Sequence, residues 1–355
     1  MFRNHADFER DAAARLPPSA LGYFAGGSLD EASLAENRAA LSRIKLRWRA
    51  LAGVTSPSTR RTLLNHELEF PLIVAPIAFQ RMAHPDGEIG MARAVRSSGS
   101  LMVMSTTSTA SAADVSEAAA GALWFQLYMM KDRGVNQDLV RSAEAAGAKA
   151  IALTVDVPAW GLRERDTRNQ FALPDGLRVE SLVLPGHESF YDGSSRSDLA
   201  SFLASRLKFD LAWADLEWLR SITSLPVILK GIGRSDDAQI AIESGASAIW
   251  ISNHGGRQLD SAAGVADVLP QIADKVAGRI PIIADGAVRR GTDVLKLLAR
   301  GATVAAVGRA VLWGLAVDGE AGALTVLSRL RVELENAMSL TGCKDLDQLP
   351  DALNR

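Results

Sequence analysis

Cysteine is almost absent. Cys343 is the single thiol among 355 residues, so no intramolecular disulfide can form and a disulfide-stapled secreted scaffold is excluded. Charge does not lean to one sign either. The 39 Lys and Arg face 41 Asp and Glu, a formal charge of −2, which argues against nucleic acid or an anionic membrane surface as the main partner. Long apolar runs are missing as well. The most membrane-like stretch, 118–130, is interrupted by Gly121 and Gln126 and is shorter than the roughly 20 residues of a spanning helix. The N-terminal MFRNHADFERDAAARLPPSA lacks the apolar core of a signal peptide. Histidine is scarce, and His5, His66, His84 and His187 show no metal-ligand spacing. These absences lead to the expectation of a cytoplasmic protein without metal, membrane or nucleic-acid partner. With 48% hydrophobic residues, the chain can bury a large core.

What is present is a repeat of short apolar runs, each ending in a polar residue or glycine. They are FPLIVAP (70–76), LMVMST (101–106), ALWFQLY (122–128), AIALTVD (150–156), PVILKG (226–231), SAIWISNHG (247–255), IPIIADG (280–286) and TVAAVGR (303–309). Unbroken apolar runs of this length mark strands buried on both faces. Helical stretches separate most of them, at 87–99, 138–150, 235–247 and 291–302, with polar starts and Gly ends as capping requires. Eight such units predict an α/β fold, a (β/α)8 TIM barrel. An open doubly wound sheet is the weaker alternative, because no Gly-x-Gly-x-x-Gly turn follows the first run. One connection breaks the even spacing. The long loop after strand 4, from Val157 to about Phe209, has a Gly/Ser/Asp-rich centre at 187–198 and reads as a lid. The expected organisation is a single domain over 1–355, with an N-terminal helical cap (1–65), the barrel (66–318) and a C-terminal helix and tail (319–355).

Barrel enzymes carry their chemistry at the C-terminal ends of the strands. Those ends bring Ala78, Ser105, Gln126, Tyr128, Thr154, Asp156, Lys230, Ser252, His254, Asp285, Gly308 and Arg309 to one mouth. DGAVRRG (285–291) and Gly308-Arg309 fall where barrel phosphate sites form, with amide donors and Arg289, Arg290 and Arg309 as candidate partners. In SNHGGRQLD (252–260), His254 sits on a flexible turn with Arg257 three residues on, which favours a general base over a structural histidine. Arg163 and Arg257 could clamp a carboxylate. Most tryptophans read as core; Trp160, in the fourth loop, lies beside the site.

Taken together, VAPIAFQ (74–80), QLY (126–128), TVDVP (154–158), LKG (229–231), SNHGGRQLD (252–260), DGAVRRGTDV (285–294) and VGR (307–309) resemble the FMN-dependent α-hydroxy acid oxidase and dehydrogenase family. GLRERDTRNQFALP (161–174) is closest in style to its bacterial hydroxymandelate-type branch. The resemblance implies FMN as cofactor, its phosphate near Arg289, Gly308 and Arg309, and its ribityl chain along Asp285, Gly286 and Ala287. It implies Ser105, Gln126 and Thr154 against the polar edge of the flavin, with Tyr128 and Ser252 nearby. Pro76, Ile77 and Ala78 would run beside the reactive nitrogen. Lys230 would face the side where negative charge develops on reduction, which is where a cation stabilises it. Arg163 and Arg257, with Tyr23 and Tyr128, would bind the substrate carboxylate. His254 would act as base, with Asp156 orienting it and Tyr128 completing the catalytic group.

The chain departs from that family pattern at Ile77 (usually Thr), Ala287 (usually Gly), Thr107 (Trp in glycolate oxidases) and Trp160 (usually a smaller aliphatic residue). The altered pocket wall favours a medium or aromatic (S)-2-hydroxy acid over glycolate. Without a cytochrome-like segment before residue 65, dioxygen is the expected acceptor, giving hydrogen peroxide. The alternative is a dehydrogenase passing electrons to a quinone or protein. A homotetramer is implied by the resemblance alone.

Overall fold

Eight parallel strands close into a barrel in chain order. They are β1 (Leu72–Val74), β2 (Met102–Ser105), β3 (Leu123–Leu127), β4 (Ile151–Thr154), β5 (Val227–Ile232), β6 (Ala248–Ile251), β7 (Ile282–Ala284) and β8 (Val304–Val307), with β8 returning to pair with β1. The computed structural model describes residues 3–184, 186, 187, 190, 191 and 199–353. Each predicted apolar run contains one strand. Alternate strand residues separate into two buried clusters, as the period of two demands. Ile73, Val103, Trp124, Ala152, Ile228, Trp250, Ile283 and Ala306 form one cluster that holds no helix residue, so it fills the barrel interior. Leu72, Met104, Phe125, Leu153, Leu229, Ile249, Ala284 and Val307 join the helices in the other.

Ahead of the barrel come three helices: α1 (His5–Arg15), α2 (Pro18–Ala25) and α3 (Ala32–Arg43). Asn4 caps α1 through a reciprocal capping box with Asp7. A hairpin, Arg61–Leu63 with His66–Leu68, follows. Its Leu63 and Leu68 belong to the interior cluster, so the hairpin plugs the barrel at the end opposite the site. The cap–barrel division at 65/66 thus falls inside this hairpin, whose two strands act as one closure.

The helix after β3 starts earlier than the sequence pattern suggests, at Arg133 rather than 138, because the Asp132 carboxylate accepts from the Gly134 and Val135 amides. The segment 118–130 is shared between a helix end and β3. Arg309–Thr341 is instead the one helix among the described residues long and apolar enough to cross a membrane, but it is mostly buried in the fold and broken at Asp318 and Gly319. In the long loop after β4, described helices cover Glu164–Arg168 and Leu199–Arg206. Of the expected lid centre, 188, 189 and 192–198 lie outside the described residues.

Candidate active site

His254 follows β6 and takes a left-handed backbone, φ +57°, a conformation tolerated by His at modest cost. Two features hold it there. Its amide donates to Ser252 Oγ at 3.0 Å, and neighbouring Asn253 exchanges amide hydrogen bonds with Asn37 of α3 at 2.8 and 2.9 Å. The cap therefore fixes the turn that aims the imidazole. Gly256, φ +77°, lets this turn meet α3, since a Cβ there would lie within 2.6 Å of the Leu34 amide nitrogen.

The imidazole is sandwiched by two polar groups. Nδ1 lies 3.0 and 3.2 Å from the two oxygens of Asp156, and Nε2 lies 3.2 Å from the Tyr128 hydroxyl. Asp156 can approach because Gly231, φ +112°, carries no side chain; a Cβ there would lie 2.5 Å from that of Asp156. Burial lowers the pKa of His254 below its ordinary value despite the opposing pull of Asp156. Burial alone would raise the Asp156 carboxyl, but His254 and Lys230 hold it below its ordinary value. The pair thus rests as neutral imidazole and carboxylate, with the Nδ1 proton shared toward Asp156 and Nε2 left as acceptor. Burial and Asp156 push the Tyr128 phenol far above its ordinary pKa, so it remains a proton-bearing donor.

Beyond this group opens a cavity of about 680 Å³ lined by Tyr23, Phe79, Thr107, Tyr128, Trp160, Phe171, Arg163 and Arg257, among others. Tyr23 of α2 stacks on Phe171 with centroids 4.4 Å apart, and Trp160 meets Tyr128 edge-on. The two arginines are held differently. Arg257 Nη1 donates to the carbonyls of Tyr23 and Gly26, and its guanidinium lies 4.7 Å over the Tyr23 ring. Arg163 makes long hydrogen bonds, at 3.5 Å, to the Arg257 carbonyl and Gln258 Oε1, and its guanidinium lies 5.6 Å over the Trp160 ring. Burial, then Arg163, bring Arg257 down to about 10, so an incoming carboxylate would relieve an uncomfortable pair of cations.

A narrower cleft adjoins this cavity through Tyr23, Ala78 and Arg257. Pro76, Ile77, Ala78, Lys230, His254, Asp285, Gly286, Ala287, Arg289, Gly308 and Arg309 line it. Lys230 Nζ donates to Ser252 Oγ at 3.2 Å and lies 3.9 Å from Asp285. Asp285 Oδ2 accepts from Trp250 Nε1 and Ser252 Oγ, whereas its Oδ1 is buried without a partner among the described residues. Ser105, Gln126 and Thr154 are fully buried and bond one another: Ser105 Oγ donates to Gln126 Oε1 at 3.2 Å, and Gln126 Nε2 donates to Thr154 Oγ1 at 2.8 Å. They form a polar chain behind the cleft rather than part of its lining.

At the phosphate end the structure corrects one expectation and narrows another. The amides of 289–291 are already used: Arg289 and Arg290 donate to Asp293 and Gly291 to Glu333, because the first turn of a helix must find acceptors. The Arg309 guanidinium donates from three nitrogens to the carbonyls of Phe24, Gly255 and Gly26. It ties cap to barrel with three of its five N–H groups and also lines the cleft, so two donors are left for a phosphate. What remains besides is the helix start at Gly308, which has no side-chain cap and open space where a Cβ would be, together with Arg289. The Arg289 guanidinium has one hydrogen bond, to the Val288 carbonyl. Burial, then Arg257 and Arg289, lower Arg309 to about 9, a crowding of positive charge that an anion would relieve.

Sequence reasoning missed Gln258. Its Nε2 donates to the carbonyls of Asp156 and Ala159, both at 2.9 Å, and its Oε1 accepts from the Gly161 amide. It thereby braces the β4 and β6 loops against each other. It also missed buried Glu88, which accepts from the Gln80 and Thr109 amides and the Thr109 hydroxyl. Neither bond is local enough to show in a motif.

The cleft suits the FMN that the sequence resemblance implies. The unpartnered Asp285 Oδ1 offers an acceptor to a polyol, the uncapped helix start and Arg289 offer donors to a phosphate, and Lys230 puts a cation against the ring end. Residues 12–355 match the family described as FMN-dependent dehydrogenase. The chain is 46% identical over 350 residues to an L-lactate oxidase of Nostoc sp., covering 98% of this chain and 96% of that protein. It is 44% identical over 353 residues to glycolate oxidase 3 of Oryza sativa, covering 98% and 95%. A solved mandelate oxidase with (S)-4-hydroxymandelic acid superposes with a TM-score of 0.92 at 39% identity, covering 99% of this chain and 98% of that one.

Proposed function

The chain belongs to the FMN-dependent dehydrogenase family, and on that premise we propose that it oxidises an (S)-2-hydroxy acid to the 2-oxo acid, with dioxygen reduced to hydrogen peroxide. The observation that carries this reading is the half-buried line Tyr128, His254, Asp156 set beside Arg163 and Arg257. A base that lines the inner cleft, its Nε2 beside the hydroxyl of Tyr128 at the outer cavity, stands next to cations that can orient a carboxylate.

FMN, when bound, supplies the two-electron acceptor. Arg289 and the amides after Gly308 would hold its phosphate, Asp285 its ribityl chain, and Lys230 its ring. Ser105, Gln126 and Thr154 would back the polar edge of the ring. Within the chain, Arg257 and Arg163 bind and orient the substrate carboxylate, and the Tyr128 hydroxyl donates to it. His254 Nε2 takes the substrate proton, and Asp156 stabilises the imidazolium that results. The same base serves whether the α-proton or the hydroxyl proton leaves to it.

The width and aromatic lining of the outer cavity support a medium or aromatic side chain on the substrate, because offset and edge contacts with Tyr23, Phe171 and Trp160 reward a ring. The solved relatives include a mandelate oxidase holding (S)-4-hydroxymandelic acid. We further propose a cytoplasmic homotetramer that engages neither membrane nor nucleic acid; the balanced charge supports the lack of such partners, the tetramer follows the family resemblance alone, and sedimentation of the purified protein tests the assembly. The reaction is tested by mixing the holoenzyme anaerobically with glycolate, (S)-lactate and (S)-mandelate, following flavin absorbance, and then admitting air. Bleaching fastest with mandelate and rapid recovery in air are expected. Recovery only with an added quinone would make the protein a dehydrogenase instead.

A further inference from the structure

A second cavity, of about 320 Å³, lies behind the inner cleft on the side of the cap. His5 and Glu9 of α1, Asn37 and Arg38 of α3, and Gly255, Ala287, Arg289 and Arg309 of the barrel end all line it. Gly255, Ala287, Arg289 and Arg309 line the inner cleft too, so the two spaces meet at the arginines.

The charges around this cavity are unevenly matched. Arg38 is paired with Asp293 at 2.7 Å, and neighbouring Arg290 with Glu333 at 2.7 Å. The side chain of Arg309 is taken up by carbonyls. Arg289 has no ion pair among the described residues and a single hydrogen bond, to a carbonyl. His5 has its Nδ1 buried with no hydrogen-bond partner among the described residues. Glu9, the one carboxylate lining the cavity, is exposed. An unpartnered imidazole nitrogen and a guanidinium with free donors, on two residues that line one space, are costly unless an acceptor with several lone pairs arrives. A phosphate fits that description, and Arg289 also lines the inner cleft, onto which the uncapped helix start at Gly308 opens.

We propose that His5 is a phosphate ligand of the FMN, so that α1 closes the rear of the cofactor site and FMN retention depends on the N-terminal helix. The inference rests on the FMN reading above and extends it to a residue outside the barrel. In this arrangement His5 Nδ1 donates to a phosphate oxygen, Arg289 donates beside it, and Glu9 stays at the solvent edge. α1 packs along Arg309–Thr341, the helix that begins at the phosphate end, so cap docking and cofactor binding reinforce each other.

Riboflavin, which is FMN without its phosphate, separates this role from a merely structural one. Full-length chain freed of flavin is titrated with FMN and with riboflavin, following quenching of flavin fluorescence. His5→Ala should weaken FMN roughly tenfold or more, the worth of one charge-assisted hydrogen bond, and leave riboflavin unchanged. His5→Gln, which keeps a donor, should recover part of the loss. Unchanged FMN affinity, or equal weakening of FMN and riboflavin, overturns the proposal. So does unchanged FMN affinity with His5-dependent stabilisation by inorganic phosphate, which would assign the cavity to a free anion. Failure of the wild-type chain to bind either flavin would instead sink the FMN reading itself.

Discussion

Replacing Asp156 with Asn changes one charge and almost no volume, so it isolates what the carboxylate does for His254. Both carboxylate oxygens lie within 3.2 Å of Nδ1, and with the two side chains only 17% and 11% exposed their charge is screened less than in open solvent. Losing a hydrogen bond to a charged partner costs about 1.5–3 kcal/mol, which sets a floor of roughly 10- to 100-fold on the rate. An asparagine can also turn its NH2 toward Nδ1, which favours the wrong tautomer and buries the lone pair that Nε2 must offer. In a hydrolase triad the matching change costs about 10⁴, so the expected fall in the flavin-reduction rate lies between about 10² and 10⁴. The pH profile supplies a second reading. His254 works as base only when neutral, so kcat/KM rises with pH through its pKa, which burial places below the ordinary 6.5. Asp156 pulls that pKa upward. Removing its charge therefore shifts the acid limb to still lower pH while the plateau falls. Stopped-flow reduction under anaerobic conditions measures both. An acid limb that moves upward, or a plateau loss of less than tenfold, would refute the assigned pairing.

Other perturbations separate binding, size and framework. Arg163→Met removes a loosely held cation, so KM should rise roughly 10- to 100-fold with little change in the urea midpoint. Arg257→Met also severs the ties to Tyr23 and Gly26, so both KM and stability should suffer; a normal urea midpoint would speak against that dual role. Trp160→Ala should lower kcat/KM for mandelate relative to lactate by roughly tenfold, and an unchanged ratio would remove Trp160 from the specificity wall. Glu88→Ala strands the Gln80 and Thr109 amides and should cost about 2–5 kcal/mol in equilibrium unfolding; a loss under 1 kcal/mol would mean that water or a shift of the loop replaces the carboxylate.

The barrel was legible because a parallel strand covered on both faces is written as an unbroken apolar run. All eight runs hold a strand; seven are trimmed by one to a few residues at the polar ends, and the fifth extends one residue past its run to Ile232. The hairpin at 61–68 was not legible, since three-residue strands such as RTL and HEL carry no periodicity. The residues expected at the site lie around one mouth because strand ends share one face of the barrel. What those residues bond to was less visible. Arg309 gives three of its donors to two cap carbonyls, Phe24 and Gly26, and to Gly255 of the barrel, and Ser105, Gln126 and Thr154 bond one another behind the cleft. Gln258 and Glu88 act across gaps of about a hundred and about twenty residues, where spacing in sequence says nothing about contact.

The account turns on His254 as the base, and His254→Asn tests it most directly. The variant should purify yellow with FMN bound, yet on anaerobic mixing with an (S)-2-hydroxy acid its flavin should bleach about 10³-fold more slowly, or less, than that of the parent. Flavin reduction at a rate within tenfold of the parent would contradict the central claim, whatever the bound substrate proved to be.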